Sequence, residues 1–128
     1  MLLAVNGTLM RGFELNQSLV ELGGKYVAEA RTAPFYRLWN VGNLYPAMLR
    51  DTQRGAEISI ELWEIPDIQL APLIEKEPPG LTLGRITLEN GRTVLGILAE
   101  PYITANCEEI TRYGGWREYL LKLSGLEE

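Results

Sequence analysis

Two stretches of this chain hold the residue types from which chemistry could be built. In "LIEKEPPG", Leu70, Leu73, Ile74 and Glu77 fall at i, i+3, i+4 and i+7 of a helix, so Glu77 shares a face with three apolar residues while Glu75 points away. A core-facing carboxylate at a helix C-terminus is disfavoured as an anion by desolvation and by the negative end of the helix dipole. Its pKa should rise into the range useful to a general acid or base. The competing reading is that Pro78 disfavours helical geometry at Glu77 and turns the side chain out to solvent. The second stretch is "VNGTLMRG", residues Val5 to Gly12. Glycines between a strand and a helix let backbone N–H groups converge on an anion, with the helix behind adding favourable potential. Alternatively, Gly7 and Gly12 simply supply turn dihedrals. The stretch is not a phosphate-binding loop, because Phe13 and Glu14 stand where that motif needs a Lys-Ser/Thr pair.

The composition narrows the chemistry further. The 128 residues contain no His and a single Cys107, which removes Ser-His and Cys-His pairs and most zinc sites. Acid–base work must fall to carboxylates, Tyr or Lys, and neither a metal nor a cofactor is expected. A net charge of −5 argues against a sequence-independent grip on nucleic acid, which needs clustered Lys and Arg. No run approaches the roughly 20 apolar residues of a membrane span. "MLLAV" is too short and lacks the basic region of a secretory signal, so a cytoplasmic location is the expectation. The length suits one domain over residues 1–128. Tyr36, Arg37, Tyr45 and Tyr102 lie in or beside expected strands, where packing or surface roles are the ordinary reading. Trp116 reads as a docked aromatic at a helix start, and Cys107 as an inert thiol.

Elements must position these residues. "LLAV" reads as a buried first strand and "ELNQSLVELGG" as a helix with Leu15, Leu19 and Leu22 on one face. "KYVAEARTA" and "FYRLWNV" read as strands, and "NLYPAML" as irregular chain or a short edge strand limited by Pro46. In "AEISIELWEI", Ile58, Ile60 and Leu62 alternate with Glu57, Ser59 and Glu61, which predicts one buried and one wet face. "IPDIQLAPLIEKE" reads as a helix stopped by Pro78-Pro79-Gly80. "LGRITLE" and "TVLGILAE" form a hairpin through Asn90-Gly91, a dipeptide that suits a type I′ turn. A helical turn, a Gly-Gly break and a helix with Trp116, Tyr119, Leu120 and Leu123 on one face complete the chain. This order implies an α+β fold whose mixed sheet curls toward a barrel flanked by helices.

With the loop and Glu77 in view, the chain resembles the γ-glutamylcyclotransferase-like superfamily. "NGTL" is similar to the family's Tyr-Gly-Ser/Thr-Leu loop, "YPAM" to the Tyr-Pro-Ala that follows the third strand, and "LIEKEPPG" to the segment of the catalytic glutamate, with Arg85 fitting the pattern. Over nearly its whole length the chain looks like the C-terminal domain of allophanate hydrolase, through "GFELNQSL", "RTAPFYRLW", "PPGLTLGRITLENGRTVLGILAE" and "YGGWREYL". The resemblance implies a stand-alone version of a domain otherwise fused to an amidase, and a small carboxylate-bearing amide as substrate. It implies Glu77 as the acid/base and Asn6, Gly7, Thr8, Leu9, Tyr36 and Tyr102 around the substrate. Two departures stand out: Asn6 replaces the loop Tyr, and the His that assists decarboxylation in allophanate hydrolase is absent, with Tyr102 near its expected place. Three readings follow: a cyclotransferase-like enzyme, an enzyme of urea-related nitrogen metabolism, and a non-catalytic module that partners an amidase.

Overall fold

The apolar, β-branched stretches pair into two sheets in a computed structural model that describes residues 1–125. The strands are β1 (Leu2–Val5), β2 (Lys25–Arg31), β3 (Tyr36–Val41), β4 (Tyr45–Arg50), β5 (Ser59–Glu64), β6 (Leu81–Thr87), β7 (Thr93–Ala99) and β8 (Glu108–Glu109). The helices are α1 (Asn16–Glu21), α2 (Leu70–Glu75) and α3 (Trp116–Leu123). The larger sheet runs β2-β5-β1-β7-β6 and the smaller β4-β3-β8. The short β1 sits at the centre, antiparallel to β5 and parallel to β7, and Leu3, Ala4 and Val5 are fully buried.

The larger sheet closes on itself at one end. Just past β2 and β6, Thr32 bridges Leu88, the Ala33 N–H donates to the Thr87 carbonyl at 2.9 Å, and the Glu89 N–H donates to the Arg31 carbonyl at 3.0 Å. These bonds join the chain just past the two edge strands and cover the sheet edge at that end. The α+β expectation, with a mixed sheet curling toward a barrel, describes the molecule.

Several local expectations change. Pro46 does not limit its segment: β4 is a regular six-residue strand with Pro46 inside it, tolerated because β4 is the edge of its sheet. The helix expected over "IPDIQLAPLIEKE" is a 3-10 turn at Asp67–Gln69 followed by the six residues of α2. The β6–β7 hairpin forms, but only Gly91 of its loop has positive φ, at +88°. A type I′ turn needs two such residues; here the Gly91 N–H donates to Leu88 and Leu88 pairs with Arg92, the pattern of a type I turn with a glycine bulge. The helical turn expected around Cys107 is the short β8 and a 3-10 turn at Thr111–Tyr113. In α3, Trp116 and Tyr119 are buried as expected, while Leu123 at the last turn is exposed.

Candidate active site

The opening loop is built so that the carbonyls of Gly7, Thr8 and Leu9 are occupied and the amides of the same three residues are not. Gly7 O accepts the Met10 N–H at 3.0 Å, Thr8 O accepts the Leu15 N–H at 3.1 Å, and Leu9 O accepts Asn16 Nδ2 at 2.9 Å. In each planar peptide the next N–H points opposite the carbonyl. The Thr8 and Leu9 amides are thereby turned away from the bonded carbonyls, and among the described residues the N–H groups of Gly7, Thr8 and Leu9 donate no hydrogen bond. α1 begins only at Asn16, so this cradle rests on loop amides rather than on a helix end immediately behind it.

Gly7 is required by a close approach and not by its dihedrals. A Cβ there would lie 2.5 Å from Pro46 Cδ and 2.7 Å from Pro46 Cγ. The "NGTL" and "YPAM" stretches are therefore one packed joint between the loop and β4. Asn6 fastens the same joint to the central sheet: it is buried, and its Nδ2 donates to the Ile97 carbonyl at 3.0 Å and faces Met48 Sδ at 3.8 Å. Because a carbonyl must face a donor, this bond fixes the amide orientation and leaves Asn6 Oδ1 free of protein partners among the described residues.

A cavity of about 410 Å³ opens over this joint. Asn6, Gly7, Thr8 and Leu9 form one wall, Asn43 to Pro46 of the β3–β4 hairpin another, and Glu77, Pro78 and Leu81 a third. Glu14 and Leu15 complete it, and no Lys or Arg lines it. Glu77 lies past the end of α2, on a last turn where its N–H donates to Ile74 O at 3.1 Å. Pro78 ends the helix as expected, but the side chain stays half-buried against the cavity, and burial raises the carboxyl pKa above its ordinary value. Glu75 is exposed. The cavity is thus lined both by a partly desolvated carboxyl and by three residues whose amides are unbonded, which suits proton transfer next to a bound carboxylate or oxyanion.

Two residues expected near the substrate lie elsewhere. Tyr36 is fully buried in the core, where its hydroxyl accepts the Thr87 N–H at 2.8 Å and its ring lies under Arg50. It is a strut between β3 and β6, because the inward-facing register of β3 points to the core. Tyr102 is 62% exposed on the 3-10 turn Pro101–Thr104. A Cβ on Gly80 would lie 3.0 Å from its hydroxyl, so Tyr102 backs the Pro78–Gly80 segment and is absent from the cavity wall. Arg85 is exposed on β6. Tyr45 lines the cavity instead; burial foremost, then the neighbouring Cys107, Tyr102 and Glu77, push its phenol pKa up. Glu14, Leu15 and Leu44 were missed as well, since nothing in their local pattern separates a cavity rim from an ordinary surface.

The far end of the loop is held by a residue expected to be wet. Glu61 is 1% exposed, because the loop and α3 cover the second face of β5. Its carboxylate accepts Arg11 N at 3.0 Å, Arg11 Nε at 3.1 Å, Trp63 Nε1 at 3.1 Å and Arg117 Nη1 at 3.3 Å. Arg117 also donates to the Arg11 carbonyl. Burial works most strongly to raise the Glu61 pKa, yet these donors together hold it below its ordinary value. Glu61→Gln should cost about 1.5–3 kcal/mol, the range for hydrogen bonds to a charged group. A depressed carboxylate stabilises above its unfolded-state pKa and loses that contribution as pH falls through the folded-state pKa. The deficit of the variant in urea denaturation should accordingly be full at neutral pH and shrink on acidification.

Known proteins resemble this chain over nearly its whole length. The family model described as the allophanate hydrolase C-terminal domain matches residues 1–121. The urea amidolyase of Saccharomyces cerevisiae is 28% identical over 132 aligned residues, which take in 98% of this chain but 7% of that protein. The crystal structure of c4763, a protein described as specific to uropathogenic E. coli, superposes with a TM-score of 0.91 at 46% identity, covering 93% of this chain and 94% of that one. An AIG2-like protein from Mus musculus shares the fold at a TM-score of 0.59 and 19% identity, over 77% of this chain and 75% of its own. Among the described residues no helix is long and apolar enough to cross a membrane.

Proposed function

We propose, from the premise that the chain belongs to the allophanate hydrolase C-terminal domain family, that it is a small cytoplasmic enzyme of the cyclotransferase-like type acting on a γ-glutamyl-like amide. The observation that carries this reading is that Glu77 and the unbonded amides of Gly7, Thr8 and Leu9 line one cavity. The amides hold the substrate α-carboxylate, and Asn6 Oδ1 accepts a hydrogen bond from its α-amino group. That amine attacks the γ-carbonyl carbon, and Glu77 takes the proton from the attacking nitrogen and delivers it to the leaving nitrogen as the amide bond breaks. The products are 5-oxoproline and a free amine, so atoms balance without water or a cofactor.

A second reading is favoured by family membership itself, since the yeast relative is a urea amidolyase. In it the chain acts in urea-related nitrogen metabolism on a small carbamate, or serves as a non-catalytic partner of an amidase, and the loop holds the carboxylate without Glu77 as base. Purified protein assayed side by side separates the readings. The first predicts 5-oxoproline from γ-glutamyl amides and no CO₂ from allophanate-derived carbamates. CO₂ release alone would establish the second, and co-purification with an amidase without turnover would establish the partner role.

A further inference from the structure

The proposed reaction leaves one developing charge without a partner. As the amine attacks, the electron pair of the γ-carbonyl moves onto its oxygen, and an oxyanion formed away from bulk water needs a donor already in place. The loop amides are taken by the α-carboxylate, so the donor must come from another wall and must lie by Glu77, where the proton is passed. Two neutral side chains of the wall are engaged elsewhere: Asn6 Nδ2 donates to the Ile97 carbonyl at 3.0 Å, and Asn43 is turned back onto Asn40, whose Nδ2 donates to its Oδ1 at 2.8 Å. Thr8 belongs to the carboxylate loop itself. Tyr45 remains.

Tyr45 opens β4 at the cavity wall. It directly precedes Pro46, whose ring packs against Gly7, so the joint that sets the loop also sets the backbone of Tyr45. The hydroxyls of the buried Tyr36 and Tyr119 are hydrogen-bonded within the protein. That of Tyr45 has no protein partner among the described residues, and since none of their enclosed polar side-chain atoms is unpaired, it opens to accessible space. Burial first, then Cys107, Tyr102 and Glu77, raise its pKa, so the phenol lies within electrostatic reach of the Glu77 carboxyl and keeps its proton at neutral pH. We infer that Tyr45 is a further catalytic residue, donating its O–H to the γ-carbonyl oxygen of the substrate while negative charge stands there. The proton stays on Tyr45 throughout. The electron pair returns to the carbonyl carbon as the bond to the leaving nitrogen breaks and Glu77 delivers its proton. This role rests on the cyclotransferase-like reading and completes it with an oxyanion donor.

Tyr45→Phe keeps the ring and removes the donor. The kcat on a γ-glutamyl amide should fall about 10²–10³-fold, the usual loss for one oxyanion donor, while KM rises by no more than about tenfold, because a neutral carbonyl gains less from the bond. Titration followed by the NMR shifts of the Gly7, Thr8 and Leu9 amides adds a readout independent of turnover. 5-Oxoproline, whose lactam oxygen takes the place of the γ-carbonyl oxygen, should bind the variant about two- to tenfold more weakly. Cyclopentanecarboxylate, which lacks that oxygen, should bind both proteins alike. Undiminished kcat, or equal weakening of the two ligands, overturns the role of Tyr45 and leaves Glu77 as base intact. Absence of turnover, or of any loop shift with 5-oxoproline, in the unaltered protein overturns the proposed function and the role of Tyr45 together.

Discussion

Glu77→Gln should lower turnover of a γ-glutamyl amide by ~10²–10⁴-fold, the usual contribution of a positioned acid or base, while raising rather than lowering stability at neutral pH. The two halves have one cause. Among the described residues nothing donates to the Glu77 side chain, and burial is what raises its pKa above the ordinary 4.5. A carboxyl whose pKa is raised on folding stabilises fully below its unfolded-state value, and that contribution is lost as pH rises through the folded-state value. Above that window the native protein carries a desolvated charge that a neutral amide of the same shape does not. The melting temperature of the variant should therefore match the unaltered protein in acid and exceed it at neutral pH, and the acidic limb of the kcat/KM profile, set by protonation of the Glu77 carboxylate, should vanish. Undiminished 5-oxoproline formation would remove Glu77 from the mechanism. A loss of activity together with a loss of stability would make it a structural residue. The combination expected here, more stable and less active, marks a group kept for function at a cost in stability.

Gly7→Ala is expected to have the other large effect. The new Cβ would sit 2.5 Å from Cδ of a buried proline whose ring cannot rotate aside. Either the loop lifts or β4 shifts, and forced overpacking of this kind costs about 1–3 kcal/mol. Lifting the loop also displaces the Thr8 and Leu9 amides from the place they share with Glu77 on the cavity wall, so carboxylate affinity should fall by on the order of tenfold for each ~1.4 kcal/mol lost. Adding Pro46→Ala opens the space that the new methyl needs. The double variant should recover part of both stability and affinity, a coupling of about 0.5–3 kcal/mol. Additive losses in the double variant would show that Gly7 serves the loop by its dihedrals alone, and that the joint with Pro46 is incidental. The single variant is distinguished from Glu77→Gln by losing binding as well as turnover.

The local pattern determined much of this. The alternation of Ile58, Ile60 and Leu62, the apolar "LLAV", and the paired strands around Asn90-Gly91 fixed a strand-rich α+β chain, because side-chain period and turn chemistry act over a few residues. Helical spacing placed Glu77 toward apolar neighbours although the helix itself ends at Glu75; the last hydrogen-bonded turn carries the same periodicity one step further. The absence of His confined acid–base chemistry to a short set of residues. The loop was legible as backbone left open, because two glycines so close after a strand have few other consequences.

What the pattern did not hold is what separate segments do to one another. Glu61 read as wet because alternation describes one strand, whereas its second face is covered by the distant Arg11 and Arg117. Tyr36 and Tyr45 look alike in sequence, yet register turns one into the core and sets the other at the cavity wall. The meaning of Gly7 depended on Pro46, thirty-nine positions later in the numbering. Residue types and short-range spacing thus determined which groups were available for chemistry, while strand order and register decided which of them met. The reason is that a cavity is a property of surfaces brought together, and no single segment carries both of its walls.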